Sequence, residues 1–146
     1  MSTPPGTALW RRLAALFYDL LVLVAIWMFA AALILLAFHG EVDVARQPAL
    51  YHFVLQATLL ILSALYFVIS WSRGGQTIGM RAWRVRLVDA QGRSPGWSRA
   101  LLRFVLATLS LLAAGAGFIY CLFDADRRAW HDVMLGTRML HVGRAD

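Results

Sequence analysis

The chain has 146 residues, of which 60% are apolar and only 15% are charged, a composition typical of an integral membrane protein with one domain over residues 1–146. The net charge is +6, and all 14 lysine or arginine positions hold arginine. So apolar a chain argues against nucleic acid as a partner, and its basicity indicates cytoplasmic flanks of membrane spans that face anionic headgroups.

The first long apolar run predicts a membrane-spanning helix at about residues 9–38. At about 1.5 Å per residue such a helix is roughly 45 Å long, which exceeds the ~30 Å hydrocarbon core, so its ends must tilt or project. Arg11 and Arg12 precede the apolar run and indicate a cytoplasmic N-terminus. Because the run is about twice as long as the apolar region of a signal peptide, we expect an uncleaved anchor.

Asp19 is an acid inside this predicted span. An ionisable group in a spanning helix costs at least ~2.5 kcal/mol and is expected to face a bundle interior, a partner or water. Arg12 lies seven residues earlier, on nearly the same helix face but about 10 Å away along the axis. Since that distance is too long for a direct bond, we expect Asp19 to meet a cation, a hydroxyl or water from another element.

A second spanning helix is predicted at about residues 49–71, and its polar residues lie along one face. This stripe is a hydrated or proton-relaying face opposite Asp19, or it makes interhelical hydrogen bonds of ~0.6 kcal/mol per pair. The residues of the stripe are His52, Gln56, Ser63, Tyr66 and Ser70.

Residues 72–98 are rich in glycine and arginine and predict a cytoplasmic loop. Apolar and basic residues alternate between Trp83 and Leu87, which predicts a strand, and the segment from Asp89 to Gly92 predicts a turn. Pro95 limits the return strand of the resulting small β-hairpin.

We expect this hairpin to lie on the membrane surface, with Trp83, Val85 and Leu87 in the inner interface and its arginines on anionic headgroups. The arginines predicted to bind headgroups are Arg81, Arg84 and Arg86.

Residues from about 99 to 123 form a third helical segment, interrupted by Gly115 and Gly117. If the segment spans the membrane, the arginines of the tail, residues 124–146, lie outside, against the positive-inside tendency. If it turns at the glycines and re-enters, the tail is cytoplasmic, which we favour. Re-entrant backbone requires cover by protein or water.

Asp132 is expected to pair with Arg103, Arg127 or Arg12. Together with the spacing of the first helix, this predicts one charge cluster of Arg12, Asp19 and Asp132 at the inner end of that helix. His131 beside Asp132 is too small a ligand set for a metal site, and Cys121 is the only cysteine. With no nucleophile and base pair in view, we expect neither a metal, a cofactor nor an enzyme.

Four motifs resemble the RDD family of small bacterial membrane proteins. The motifs are Arg12-Leu13-Ala14-Ala15 followed by Asp19, Gly75-Gln76-Thr77-Ile78-Gly79-Met80-Arg81, Asp89-Ala90-Gln91-Gly92, and Trp130-His131-Asp132 followed by Gly136-Thr137. The resemblance implies that Arg12, Asp19 and Asp132 are the residues that give the family its name. Met80 departs from it, since Lys is common there. It also implies a bacterial cytoplasmic membrane and suspected transport, with ion or proton antiport proposed for some members.

The sequence therefore predicts an all-α integral membrane protein with two transmembrane helices, a re-entrant or third transmembrane segment and a cytoplasmic hairpin. One function is ion or proton transport through Asp19, which needs a homo-oligomer or a partner membrane subunit because two spans cannot enclose a path. The alternative is a non-transporting assembly or anionic-lipid-binding protein with a structural cluster of arginine and aspartate.

Overall fold

A computed structural model describes residues 7–37, 48–112 and 129–143 of the chain. Helix α1 covers Leu9–Ala37 and helix α2 covers Pro48–Gly74, and both are long and apolar enough to cross a membrane. Only 11% of the most apolar window of each helix is buried, so neither is the core helix of a soluble protein. The side chains of Met28, Phe29 and Phe53 are 68–70% exposed, which suits contact with lipid.

Helix α2 continues one turn beyond its predicted end at residue 71 and stops where Gly75 adopts a left-handed conformation with φ of +67°. The amide of Gly75 donates to the carbonyl of Trp71, which closes the last turn. The chain then enters a short helix, α3 (Ile78–Ala82), and a short strand, β1 (Val85–Val88). Thr77 caps α3 by accepting a hydrogen bond from the amide of Met80.

The predicted hairpin is wrong in its second strand. Strand β1 pairs antiparallel with β2 (Arg138–His141), from the tail, with Val85 opposite His141 and Val88 opposite Arg138. The turn at Asp89 does form, because its carboxylate accepts the amides of Gln91 and Arg93. After that turn the chain continues into helix α4 (Trp97–Leu112) rather than a return strand.

The alternation along β1 separates a buried from an exposed face, but the buried face packs on protein. Val85 and Leu87 are both fully buried, so the prediction that they insert into the membrane interface is wrong. They belong to a core that collects residues from every neighbouring element. This core contains Ala15, Val68, Trp71, Met80, Val85, Leu87, Ala100 and Met139.

Helix α4 lies in the segment predicted as re-entrant or spanning, while the glycine break at Gly115 and Gly117 lies outside the described residues. Ala129 begins the next described stretch, which holds helix α5 (Trp130–Met134) and β2. Thr7 donates its amide and its hydroxyl to the carbonyl of Met139, so the segment before α1 lies beside β2. The start of α1, the end of α2 and the tail thus meet at one end of the two long helices.

Gly79 allows α3 to lie directly against α1. A Cβ at this position would touch the carbonyl oxygen of Ala15 and would lie 2.9 Å from both the carbonyl carbon of Ala15 and Cγ of Asp19. Because two of these three atoms are backbone, a side-chain rearrangement cannot relieve the overlap. The glycine is therefore a packing requirement of the contact between these two helices.

We expect Gly79→Ala to lower the melting temperature in detergent, because overpacking of this kind costs about 1–3 kcal/mol. Gly96→Ala is the matched control, since a Cβ at Gly96 meets no atom within 4 Å. Equal melting temperatures for the two variants would show that α3 does not pack on α1 as described.

Candidate functional site

Asp19 lies on the inner face of α1 and is 2% exposed. One carboxylate oxygen, Oδ1, accepts the hydroxyl of Tyr66 at 2.7 Å and the amide of Gly79 at 2.8 Å. The other, Oδ2, accepts the hydroxyl of Thr77 at 2.5 Å. These bonds tie α1 to α2 and to the start of α3.

The local backbone explains why these three donors converge. Thr77 uses its hydroxyl oxygen to cap α3, which leaves the hydroxyl proton for Asp19. Gly79 has no side chain, so its backbone amide can approach the carboxylate closely. Tyr66 in turn accepts the amide of Ile78 at 3.3 Å, so its hydroxyl is held from both sides. Among the described residues, no salt bridge reaches Asp19.

Asp132 has a different environment, built from cations. Its Oδ2 accepts Nη1 of Arg12 at 3.1 Å, and its Oδ1 accepts Nε of Arg103 at 2.9 Å and the hydroxyl of Thr137 at 3.3 Å. All four residues are buried. Burial alone would raise the pKa of Asp132, but the guanidiniums of Arg103 and Arg12 outweigh it and hold that pKa below its usual value.

The Asp132 network connects three parts of the chain. Arg12 comes from α1, Arg103 from α4 and Asp132 from α5. Arg103 also lies over the ring of Trp71, with its guanidinium carbon 4.3 Å from the ring centroid, which adds a cation–π contact with α2. Arg12 further donates Nε to the carbonyl of Thr7 at 3.2 Å.

A cavity of about 110 Å³ is lined by Asp19 and by Arg12 and Arg103, the two arginines that bind Asp132. Its remaining walls are mostly apolar and come mainly from α1, α2 and α4.

Comparison with known proteins gives one family. The sequence profile of the RDD family matches residues 7–136. The chain belongs to the RDD family. No curated protein and no solved structure matches it. With its two long apolar helices, this RDD chain is a membrane protein.

In the RDD chain, the predicted charge cluster is divided. Arg12 and Asp132 are in direct contact, and Arg103 is a second partner of Asp132. Asp19 contacts neither residue and is bound instead by the neutral donors of Tyr66, Thr77 and Gly79. Arg127 lies outside the described residues. The expected hydroxyl partner of Asp19 is present, and sequence reasoning missed Thr77 and the amide of Gly79.

Two residues of the predicted polar stripe on α2 form hydrogen bonds with α1. Tyr66 reaches Asp19, and Ser63 accepts the indole Nε1 of Trp27 at 3.0 Å. His52 and Gln56 are exposed, whereas Ser70 is half-buried. The stripe therefore combines an interhelical bond at mid-helix with one contact to the Asp19 site.

The three arginines predicted to bind headgroups are exposed in the RDD chain. Arg84 has φ of +52°, a left-handed conformation directly after the end of α3. For metal binding, no group of three or more histidine, cysteine, aspartate or glutamate side chains comes together within the described residues.

Removing the charge of Asp132 should destabilise the protein. Asp132→Asn leaves the guanidiniums of Arg12 and Arg103 buried without their counter-charge, which costs about 3–5 kcal/mol by the usual scale of broken buried pairs. We expect a marked drop in melting temperature in detergent. Asp89→Asn is the control, because the Arg93 side chain that pairs with Asp89 is 76% exposed. A melting temperature equal to that of the control would contradict a structural network.

The pH dependence of stability should reflect His131, which neighbours this network. Burial, together with Arg103 and Arg12, lowers the pKa of His131 from 6.5 to about 4, against the opposing attraction of Asp132. Between those two values the unfolded chain binds a proton that the folded chain does not, so stability should fall as the pH falls from 6.5 to 4.

Asp132 does not contribute to that window, because its unfolded value is 3.8 and its folded pKa is lower still. Its stabilising charge is lost only at more acidic pH. The melting temperature should therefore depend less on pH across this window in His131→Gln than in the parent. In the control His141→Gln, which alters an exposed ring, the pH dependence of the melting temperature should stay as in the parent.

Proposed function

We propose that this RDD protein transports a proton or a small cation across the cytoplasmic membrane of a bacterium, with Asp19 as the group that binds it. The observation that carries the proposal is the contrast between the two buried aspartates. Asp132 is neutralised by two arginines, whereas Asp19 sits in a spanning helix on neutral donors. A carboxylate in that position can gain charge compensation from a bound proton or cation.

The donors around Asp19 suit a group that changes its charge. The hydroxyls of Tyr66 and Thr77 can donate to an ionised carboxylate or accept from a protonated one. Only the amide of Gly79 must donate, and it needs just one carboxylate oxygen. Asp19 could therefore take up or release a proton while the hydroxyls of Tyr66 and Thr77 change between donating and accepting.

We propose that both described ends of the chain lie on the cytoplasmic side. Arginines flank the start of α1 and follow the end of α2, which is the expected distribution for cytoplasmic flanks. The contact between Arg12 and Asp132 supports the same side for the tail, because the two residues lie 3.1 Å apart. The Asp19 site would then open towards the cytoplasm.

A transport path needs more walls than these helices provide. The faces of α1 and α2 that point away from the core expose large apolar side chains, and the cavity beside Asp19 lies at one end of the pair. We therefore propose a homo-oligomer or a partner membrane subunit, and a role that is not enzymatic.

The second candidate is a non-transporting assembly that binds anionic lipid. It is supported by the buried network of Arg12, Asp132 and Arg103, which is a structural arrangement, and by three exposed arginines beside the proposed inner interface. Those arginines, which would lie on lipid phosphates, are Arg81, Arg84 and Arg86.

Flux of protons and of monovalent cations in proteoliposomes distinguishes the two candidates. If Asp19 binds the transported ion, Asp19→Asn should abolish flux, while oligomer size and melting temperature stay close to those of the parent. Asn retains an oxygen for the amide of Gly79 and can still bond to both hydroxyls, so the fold should tolerate it.

Asp89→Asn, in a turn outside the spans, is the matched control for loss of an acid and should leave flux unchanged. A parent protein without flux, or equal flux in the parent and Asp19→Asn, would reject transport through Asp19. Loss of both flux and folding in Asp19→Asn would instead assign Asp19 a structural role.

A further inference from the structure

A second cavity, of about 240 Å³, lies at the end of α2 and is lined by Tyr66 but not by Asp19. Its lining includes Ile69, Ser70, Arg73, Gln76, Ile78 and Arg81. We propose that this cavity binds the phosphate of an anionic phospholipid between Arg73 and Arg81. The proposal is independent of transport through Asp19, since it uses neither that carboxylate nor an ion path.

Two arginines from different elements line this cavity. Arg73 belongs to the last turn of α2, and Arg81 belongs to α3. Nη2 of Arg81 lies 3.7 Å from the position that a Cβ on Gly74 would occupy, so the side chain of Arg81 extends back to the last residue of α2. Gly75, with its left-handed φ, ends α2 between the two arginines.

These charges have no carboxylate partner in the described part of the chain. Both arginines are exposed, and neither takes part in a salt bridge among residues 7–37, 48–112 and 129–143. The C-terminus of α2 contributes roughly half a negative charge, which leaves a surplus of about +1.5 from the two guanidiniums. A phosphate group matches this surplus and the planar donor geometry of arginine.

The position and the other walls favour a lipid as the source of the phosphate. The cavity lies where an apolar helix ends, at the depth where headgroups meet a spanning segment. Ile69 and Ile78 line it together with the arginines, and Ile78 is 55% exposed. A basic wall beside an apolar wall fits a phosphate group that carries acyl chains. Free phosphate has no apolar part that could pack against the isoleucines.

The arginines of this cavity only partly match the three that the sequence predicts to bind headgroups. Of those three arginines, Arg81 lines the cavity, while Arg84 and Arg86 do not. Arg73 is the second arginine of the cavity. Arg99, in the first turn of α4, is a suitable control, because it is an exposed arginine that does not line the cavity and should contribute only diffuse attraction.

The test measures lipid binding by the full chain in detergent, using phosphatidylglycerol, phosphatidylcholine and inorganic phosphate as separate probes. We expect phosphatidylglycerol to bind and to raise the melting temperature, and Arg73→Gln with Arg81→Gln to weaken it by about tenfold or more for each arginine. Arg99→Gln should retain nearly the affinity of the parent.

Three results would overturn the proposal. Equal weakening by Arg99→Gln would mean diffuse attraction to a basic surface. Equal binding of phosphatidylcholine would mean that the surplus charge is not recognised. Stabilisation by inorganic phosphate at the level given by phosphatidylglycerol would mean that the site takes free phosphate.

A second measurement uses the unaltered chain, in case the double variant does not fold. Phenylglyoxal modifies accessible arginines, and mass spectrometry of peptides reports each position. In nanodiscs containing phosphatidylglycerol, Arg73 and Arg81 should be protected relative to phosphatidylcholine nanodiscs, while Arg99 should react similarly in both. Equal reaction of Arg73 and Arg81 in the two lipids would reject the proposal.

Discussion

The ion network around Asp132 holds the described fold together at one end of the membrane helices. Moving each of its charges out of water costs several kcal/mol, so the network is stable only when every partner is in place. Arg12, Arg103 and Asp132 come from α1, α4 and α5, and each is buried. Asp132 and β2 belong to the same described segment of the tail. Binding of Asp132 by both arginines therefore positions this segment, with β2 beside β1.

The Asp19 site depends on this framework but follows a different principle. Its carboxylate receives two hydroxyls and one amide, and its position relies on the close approach of Gly79 to α1. Two of these donors, Thr77 and Gly79, lie at the start of α3. None of the three donors is a cation. One end of the protein thus contains a network of ion pairs and an aspartate bound by neutral donors, and Arg12, Arg103 and Asp19 line the same largely apolar cavity.

The sequence predicted what depends on neighbouring residues. Both spans, at about residues 9–38 and 49–71, follow from local hydropathy, and the turn at Asp89 follows from its own side chain. The partner of β1 was missed because β2 lies about fifty residues later, and four residues of weak pattern do not show which strand they join. Thr77 is 58 residues from Asp19, so only the fold brings its hydroxyl to the carboxylate. The Gly-Gln-Thr-Ile-Gly segment, with a threonine before a short helix, was the available signal.

Tyr66 joins the two proposals physically. Its hydroxyl donates to Asp19, and the same side chain lines the cavity of Arg73 and Arg81 at the end of α2. An anion held there would lie beside the residue that supplies one of the three donors to the carboxylate. Since the amide of Ile78 fixes the hydroxyl oxygen of Tyr66, and Ile78 lines the same cavity, an occupant that moves α3 alters the Asp19 bonds directly. Lipid binding and ion binding are therefore expected to be coupled through one hydroxyl rather than through a change in the whole fold.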